Sequence, residues 1–129
     1  MISFILPIRN EAKFISKTVN SILSQKFNGR RFEIIISDGE SNDGTKEIIE
    51  KLGKKHKEIK LINNPEKISA SGFNKALTIC TGDIIIRVDG HIILDENYLE
   101  NYYTVIKKVD ADCIGGKTIH VGLGLIGKS

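Results

Sequence analysis

The sequence has 129 residues, of which 19 are basic and 16 acidic, for a formal net charge of +3. This length fits one domain with a real core, and it is short for an enzyme that holds separate donor and acceptor halves. The small charge excess, and aromatic residues that never alternate with basic ones, exclude nucleic acid as a partner.

Three further features narrow the class of protein. Met1 leads directly into an apolar run without a basic leader, which argues against a signal peptide. No apolar run approaches the ~18 residues that a membrane span needs, so membrane contact is expected to be peripheral only. Cys80 and Cys113 lie apart from each other and from histidines at metal-ligand spacing, which predicts reduced thiols in a cytoplasmic protein and no zinc site.

Apolar runs of strand length alternate along the chain with segments of helical period. This alternation predicts an α/β fold with an open, mostly parallel sheet wound with helices. The first three strands are predicted over residues 2–8, 32–38 and 59–64, and residues 83–91 carry the fourth. The helices between them have predicted inward faces at Ala12, Ile15, Val19, Ile22 and Leu23, then at Ile48, Ile49 and Leu52, and then at Ala70, Phe73, Leu77 and Cys80.

The C-terminal part of the sequence predicts one more helix and one more strand. Asp95 is expected to cap a helix with Tyr98, Leu99, Tyr102, Val105 and Ile106 on its inward face. Residues 111–116 have the composition of a fifth strand. The remainder, with glycines at 122, 124 and 127, is expected to be a mobile connection.

Polar residues follow the first, second and fourth strands, whose loops should meet at the carboxyl edge of the sheet. These loops are residues 9–11 (Arg-Asn-Glu), 38–45 (Asp-Gly-Glu-Ser-Asn-Asp-Gly-Thr) and 89–91 (Asp-Gly-His). Carboxylates on different strand ends, a basic side chain and an imidazole suit a phosphorylated ligand with a divalent cation. Mg²⁺ in particular binds one or two carboxylates together with substrate phosphates.

The same residues also have structural interpretations. Asp38 and Asp43 suit helix caps, Asp89 with Gly90 suits a turn, and His91 suits a packing or hydrogen-bonding role. The sequence has no Gly-x-Gly-x-x-Gly run after the first strand and no Gly-Lys-Ser/Thr phosphate loop. A Rossmann dehydrogenase and a P-loop nucleotidase are therefore disfavoured.

Three stretches in this order resemble the family 2 glycosyltransferases with a GT-A fold: ISFILPIRNEAKFISKTVNSILSQKF, EIIISDGESNDGTKEIIEK and SASGFNKALTICTGDIIIRVDGH. Within them, Pro-x-x-Asn-Glu, Asp-Gly-x-Ser-x-Asp-Gly-Thr and Gly-Asp-x-Ile-x-x-x-Asp recur at the family's spacing. The sequence Val-Asp-Gly-His in place of Asp-x-Asp is similar to the succinoglycan-type exopolysaccharide transferases.

The resemblance implies an inverting transferase in polysaccharide or surface-glycan biosynthesis. Its donor would be a nucleotide-diphospho-sugar, with a UDP-sugar as one option, its cofactor Mg²⁺ or Mn²⁺, and its acceptor a glycan or a lipid-linked saccharide. Such an enzyme would be cytoplasmic, with activity at the inner face of the membrane as one option. The resemblance puts Pro7, Arg9 and Glu11 around the base and ribose, Asp38 near the base, and Asp89 and His91 near the metal and diphosphate.

Two positions and one missing region depart from the family pattern. Gly39 stands where the family often reads the base with the second residue of an Asp-Asp pair, and His91 stands at the second Asp of Asp-x-Asp. The family's acceptor site and general base lie beyond its fifth strand, so the catalytic base is expected to be absent from this chain. Residues 1–116 are interpreted as the nucleotide-sugar-binding domain and 117–129 as the start of a truncated acceptor-side segment.

Two alternatives stay open at the level of sequence. A nucleotidyltransferase shares the wound sheet and a metal-binding carboxylate, although Pro-Ile-Arg-Asn-Glu is a poor match to the Gly-rich basic loop that it requires after the first strand. A non-catalytic module that binds sugar nucleotides is the other alternative, and only turnover would distinguish it from an enzyme.

Overall fold

The computed structural model describes residues 1–108 and 118–121, and for 105–108 and 118–121 it describes the backbone alone. Strands β1 to β5 span Ile2–Ile8, Phe32–Asp38, Ile59–Asn63, Ile84–Arg87 and Thr118–Val121. Helices α1 to α4 span Ile15–Leu23, Thr45–Lys55, Ser69–Ile79 and Tyr98–Lys108. Within this described part, no helix has the length and apolar composition that crossing a membrane requires.

The strands form one parallel sheet in the order β3-β2-β1-β4-β5. The chain moves outward from β1 through β2 to β3 and then returns to the other side of β1 as β4. The gap between the loops of β1 and β4 is therefore a topological switch point, the place where open α/β sheets bind ligands. The predicted fold class, an open parallel sheet wound with helices, is confirmed.

Two hydrophobic clusters cover the two faces of the sheet. Alternate residues of β1 separate them, with Phe4 and Leu6 in the larger cluster and Ile5 in the smaller one. Because strands buried on both faces favour apolar residues at successive positions, residues 4–6 of β1 and 34–36 of β2 form continuous apolar runs. The larger cluster receives Ile15, Val19 and Ile22 from α1, Ile49 from α2, and Leu99 and Tyr102 from α4, and the smaller one receives Ala76 from α3.

The predicted inward face of α3 is wrong at Ala70, which is exposed. Gly72 and Ala76 are the buried residues of this helix instead. Gly72 lies so close to the sheet that a Cβ there would come 3.0 Å from Ser37 Oγ and 3.3 Å from Pro7 Cβ. The helix is oriented by this close approach of its backbone, and Ala70 consequently faces outward.

The C-terminal part also differs from the prediction. The expected mobile connection over 117–129 is wrong for Thr118–Val121, which pair with Ile84–Arg87 as β5. Three of these four residues are β-branched, which favours a strand. The strand predicted over 111–116 lies outside the described residues, as do the side chains of Val105 and Ile106, and the domain boundary after residue 116 stays a prediction. The predicted cap at Asp95 is wrong in position, because α4 begins at Tyr98 and its first intrahelical bond is accepted by Asn97 O. Asp95 instead forms the turn that precedes the helix, since its Oδ2 accepts a hydrogen bond from Asn97 N at 2.9 Å and its carbonyl accepts one from Tyr98 N at 2.9 Å.

Candidate functional site

The loops after β1 and β2 are joined by hydrogen bonds at the carboxyl edge of the sheet. Gly39 N donates to Ile8 O at 2.8 Å, and Asn10 N donates to Ser41 Oγ at 2.7 Å. Asn10 Oδ1 accepts in turn from Asn42 N at 2.9 Å. The two loops therefore form one continuous wall of the crevice.

Asp38 ends β2 and is only 2% exposed. Both of its carboxylate oxygens accept hydrogen bonds from Ser41, one from the backbone N at 3.1 Å and one from the hydroxyl at 2.5 Å. The residue also borders a cavity of about 260 Å³ that Lys46 and Asn63 help to line. Asp38 thus shapes its own loop and still adjoins open space beside β3.

Gly39 is packed closely between the loops after β1 and β3. A Cβ at position 39 would lie 3.2 Å from Lys67 Cα and 3.3 Å from Ile8 O, so a larger residue would require the neighbouring backbone to shift. Arg9 Nε donates to Gly39 O at 2.9 Å, which fixes the start of an otherwise exposed guanidinium against the Asp38 loop.

Asp43 lies one residue before Gly44, the N-cap of α2, so it holds the turn into the helix rather than the predicted cap position. Its carboxylate accepts hydrogen bonds from the Thr45 hydroxyl, from Thr45 N at 3.1 Å and from Ala12 N at 3.2 Å. The hydrogen bond from the Thr45 side chain is the main cause that lowers the pKa of the Asp43 carboxyl. Thr45 Oγ1 also accepts from Glu11 N at 2.9 Å, so the start of α2 positions the backbone of Glu11.

The loop after β4 meets the loop after β1 through His91 and Glu11. His91 Nδ1 lies 3.2 Å from Glu11 Oε2, with 55% of the histidine side chain and 22% of the glutamate side chain exposed. Gly90 permits this approach, because a Cβ there would lie 2.7 Å from Ile8 Cγ2 and 2.8 Å from Glu11 Cγ. Thr18 of α1 fixes the same peptide by donating to Gly90 O at 3.0 Å.

Asp89 lies just beyond β4, with 37% of its side chain exposed. Its Oδ1 is 3.6 Å from Arg87 Nε, and the guanidinium of Arg87 lies 5.5 Å from the centroid of the Phe73 ring. The carboxylate is therefore oriented from one side and open to a ligand on the other.

The donor set around Asp89 fits a hard divalent cation that takes some of its ligands from a phosphate. Asp89 and Glu11 provide carboxylate oxygens and His91 an imidazole, which suit Mg²⁺ or Mn²⁺. Among residues 1–108 and 118–121, no three His, Cys, Asp or Glu side chains are close enough to hold a metal ion by themselves. A cation here would therefore need oxygens from a bound ligand.

The structure brings most of the predicted site residues to one edge. Arg9, Glu11, Asp89 and His91 all lie on the loops of the switch point, with Glu11 and His91 in contact. Asp38 is buried beneath the β2 loop. Pro7 is buried inside β1, opposite Ser37 in the sheet.

Sequence reasoning missed Asn64, which is 2% exposed. Its Nδ2 donates to Ile68 O at 2.9 Å, its Oδ1 accepts from Ser71 Oγ at 3.1 Å, and its N donates to Asp38 O at 2.8 Å. Asn64 therefore joins the ends of β2 and β3 to the start of α3. An asparagine directly before a proline is a turn signal, which fits the bonds to Ile68 and Ser71, but nothing in the sequence indicates the distant bond to Asp38.

Two characterised proteins are similar over most of the chain. The dolichyl N-acetyl-alpha-D-glucosaminyl phosphate 3-beta-D-2,3-diacetamido-2,3-dideoxy-beta-D-glucuronosyltransferase of Methanococcus voltae is 33% identical over 119 residues, which cover 88% of this chain and 37% of the relative. Succinoglycan biosynthesis protein ExoA of Rhizobium meliloti is 27% identical over 127 residues, covering 97% of this chain and 37% of the relative. The chain thus spans little more than a third of the length of these relatives.

Solved structures share the fold. Staphylococcus aureus TarS 1-349 in complex with UDP-GlcNAc is 25% identical, with a TM-score of 0.69 over 83% of this chain and 31% of its own. The mannosyltransferase PcManGT from Pyrobaculum calidifontis, in complex with GDP-Man and Mn²⁺, is 24% identical, with a TM-score of 0.77 over 88% of this chain and 33% of its own. The GT-A fold expected from the resemblance is confirmed.

The sequence pattern of the family described as "Glycosyl transferase family 2" matches residues 3–126. The match includes each of the loops that meet at the switch point, and it agrees with the resemblance to succinoglycan-type transferases. The chain therefore belongs to glycosyl transferase family 2.

Proposed function

We propose that the chain binds a nucleotide-diphospho-sugar together with Mg²⁺ or Mn²⁺, as the donor-binding part of an inverting glycosyltransferase in polysaccharide or surface-glycan assembly. The observation that carries the proposal is the 3.2 Å contact between His91 and Glu11 beside the open carboxylate of Asp89. This contact joins the loops after β1 and β4 at the switch point of the sheet, and Asp89 lies two residues before His91 on the second of these loops. Family membership supports the chemistry, and the UDP-GlcNAc complex of TarS supports a UDP-sugar as donor.

Asp89 and His91 are the residues proposed to hold the cation and the diphosphate. A bound cation would offset the negative charge on the departing diphosphate. Glu11 orients the imidazole of His91 through their contact, and this limits the positions that the ring can take.

The nucleoside is proposed to lie along the wall formed by the β1 and β2 loops. Arg9, held at Gly39 O, offers a guanidinium on this wall. Asp38 borders the cavity of about 260 Å³ in which a base could be read. Pro7 contributes through the backbone, because its ring fixes φ in the strand that delivers Arg9 and Glu11 to the edge.

The acceptor is proposed to be a glycan or a lipid-linked saccharide. The enzyme is proposed to act in the cytoplasm, at the inner face of the membrane. The names of the relatives, a dolichyl-phosphate-linked sugar in one and succinoglycan in the other, support this class of acceptor.

Calorimetric titration of the chain with UDP and GDP, each with and without Mn²⁺, tests the proposal. We expect binding of a nucleoside diphosphate only when the cation is present. Equal binding without a metal would remove the role of Asp89 and His91 in holding a cation. Binding of NAD with no response to either diphosphate would contradict the proposal and indicate a dinucleotide site.

A further inference from the structure

A second cavity, of about 470 Å³, opens at the amino edge of the sheet, at the opposite end of the strands from the switch point. We call it the amino-edge cleft. Its volume falls within the ~300 to 1,000 Å³ that small-molecule sites usually have. The charged residues on its lining are Arg30, Arg31, Lys57, Lys60, Glu33 and Glu58.

Glu33 is stabilised as a carboxylate by groups that surround it. It is 2% exposed and accepts hydrogen bonds from Ser3 Oγ at 2.5 Å, Thr81 N at 2.7 Å and Lys60 Nζ at 2.9 Å. Burial alone would raise the pKa of the Glu33 carboxyl, but these hydrogen bonds lower it to about 2. The carboxylate therefore stays ionised and fixes the ammonium of Lys60 on the wall of the cleft.

The other cationic side chains of the cleft are less constrained by ion pairs than Lys60 is. Arg31 and Lys57 are exposed, and within the described part of the chain neither makes an ion pair. The guanidinium of Arg30 lies 4.1 Å from the centroid of the Tyr103 ring, so it is held in place without being neutralised. Four cationic side chains against the carboxylates of Glu33 and Glu58 leave an excess of two positive charges on the lining, and the Met1 ammonium that also borders the cleft is paired with Asp83 at 3.1 Å.

We propose that the amino-edge cleft binds a small anion that carries phosphate groups and at least two negative charges. Arginine presents a planar fork of donors that matches phosphate oxygens, and lysine adds point charge. An excess of two positive charges complements a phosphate dianion better than a single carboxylate. The phosphate can belong to a free solute or to a phospholipid headgroup. This inference does not rest on the proposed donor site, which lies at the other edge of the sheet.

The first experiment titrates the chain with inorganic pyrophosphate in the absence of divalent cations, so that a metal-dependent donor site does not respond. The test variant is the double substitution Arg31→Glu with Lys57→Glu. The matched control is Lys51→Glu with Lys54→Glu, which reverses two exposed charges on α2 outside the cleft. We expect binding that weakens at least about tenfold in the cleft variant and changes little in the control.

A second experiment identifies the source of the phosphate. The chain and both variants are sedimented with vesicles of phosphatidylcholine alone or with added phosphatidic acid, whose monoester phosphate carries close to two negative charges near neutral pH. Sedimentation that requires phosphatidic acid and the intact cleft identifies a lipid headgroup, whereas pyrophosphate binding without sedimentation identifies a free phosphate compound. The proposal is overturned if neither probe binds, or if both variants weaken binding equally while circular dichroism shows them folded.

Discussion

His91 Nδ1 lies 3.2 Å from Glu11 Oε2, although the two residues are 80 positions apart in the sequence. The contact joins the loops of two adjacent parallel strands, and Thr18 of α1 supports it by donating to Gly90 O at 3.0 Å. A ligand at the switch point would therefore meet side chains that the fold has already placed, which reduces the ordering that binding requires.

Asp89→Ala should abolish the metal dependence of nucleoside diphosphate binding and leave the fold intact. The side chain is 37% exposed and lies outside the core, so its loss should change the free energy of unfolding by about 0.5 kcal/mol or less. Calorimetry with and without Mn²⁺ measures the first effect, and urea unfolding measures the second. Asp83→Ala, the same change just before the other end of β4, is the matched control. A variant that loses stability but keeps the wild-type metal dependence under conditions where it is still folded would assign Asp89 to the turn alone.

His91→Ala should weaken metal-dependent binding by less than Asp89→Ala does. Water can replace an imidazole in the Mg²⁺ shell, so we expect a loss of about tenfold or less in affinity. His56→Ala, at the end of α2 and away from the crevice, serves as the control. A loss as large as that of Asp89→Ala would contradict this ranking and make His91 an indispensable ligand.

Gly90→Ala should impair both stability and ligand binding. The added Cβ would lie 2.7 Å from Ile8 Cγ2, and relieving that overlap should cost about 1 to 3 kcal/mol. The shift would also move His91 away from Glu11, so metal-dependent binding should weaken at a urea concentration where the variant is still folded. Gly53→Ala, in α2 with no atom within 4 Å of the added Cβ, should stabilise by about 0.5 to 1 kcal/mol. Equal behaviour of the two variants would show that the close approach at Gly90 has no consequence.

The sequence predicted the sheet well because its inner strands are buried on both faces. Residues 34–36 are three consecutive isoleucines, each fully buried, and such a run has few alternatives to a central parallel strand. The order of strands and loops then places residues 9–11 and 89–91 at one edge, since parallel strands share the direction of their carboxyl ends. The convergence of the site therefore followed from topology.

The remaining features depend on partners that lie far away in the sequence. Ala70 and Gly72 give similar hydrophobic signals, and only the surface formed by Ser37 and Pro7 decides which of them faces the sheet. The hydrogen bonds of Asn64 to the β2 loop and to α3 are likewise invisible to periodicity.

Glu33→Gln should lower stability at neutral pH and flatten its acid dependence. The pKa of this carboxyl falls from 4.5 to about 2 on folding, so its contribution is fully present above about pH 4.5 and is lost as the pH falls toward 2. We expect this carboxylate to contribute about 2 kcal/mol to the free energy of unfolding at neutral pH. This figure already allows for solvent screening at the half-exposed ammonium of Lys60. Urea unfolding of wild type and variant between pH 2 and 7 measures the difference, with the exposed Glu96→Gln as control. Parallel curves for wild type and Glu33→Gln would contradict the prediction.

The 129-residue chain should bind donor without transferring sugar to an acceptor. An acceptor hydroxyl is a poor nucleophile at neutral pH, and a positioned general base is typically worth about 10² to 10⁴ in rate. Orientation of two substrates can contribute a further ~7 to 11 kcal/mol, and the chain spans only 37% of the Methanococcus voltae relative. Each carboxylate of the described crevice already contacts a neighbouring side chain, so none stands ready to act as the base. The pairs are Glu11 with His91, Asp38 with Ser41, Glu40 with Lys67, Asp43 with Thr45 and Asp89 with Arg87.

The assay follows release of nucleoside diphosphate from a panel of nucleotide sugars, with and without Mn²⁺ and with lipid and glycan acceptors. Calorimetry on the same samples separates a folded, donor-binding chain from an unfolded one. We expect the chain to bind the donor. We expect no release of nucleoside diphosphate that depends on an acceptor. Acceptor-dependent turnover at ordinary enzyme rates would overturn the prediction, because one of the engaged carboxylates would then have to leave its partner and act as the base. Glu11→Gln, Asp38→Asn, Glu40→Gln, Asp43→Asn and Asp89→Asn would identify which one, since removing the base should lower the rate by about 10² to 10⁴ while donor binding persists.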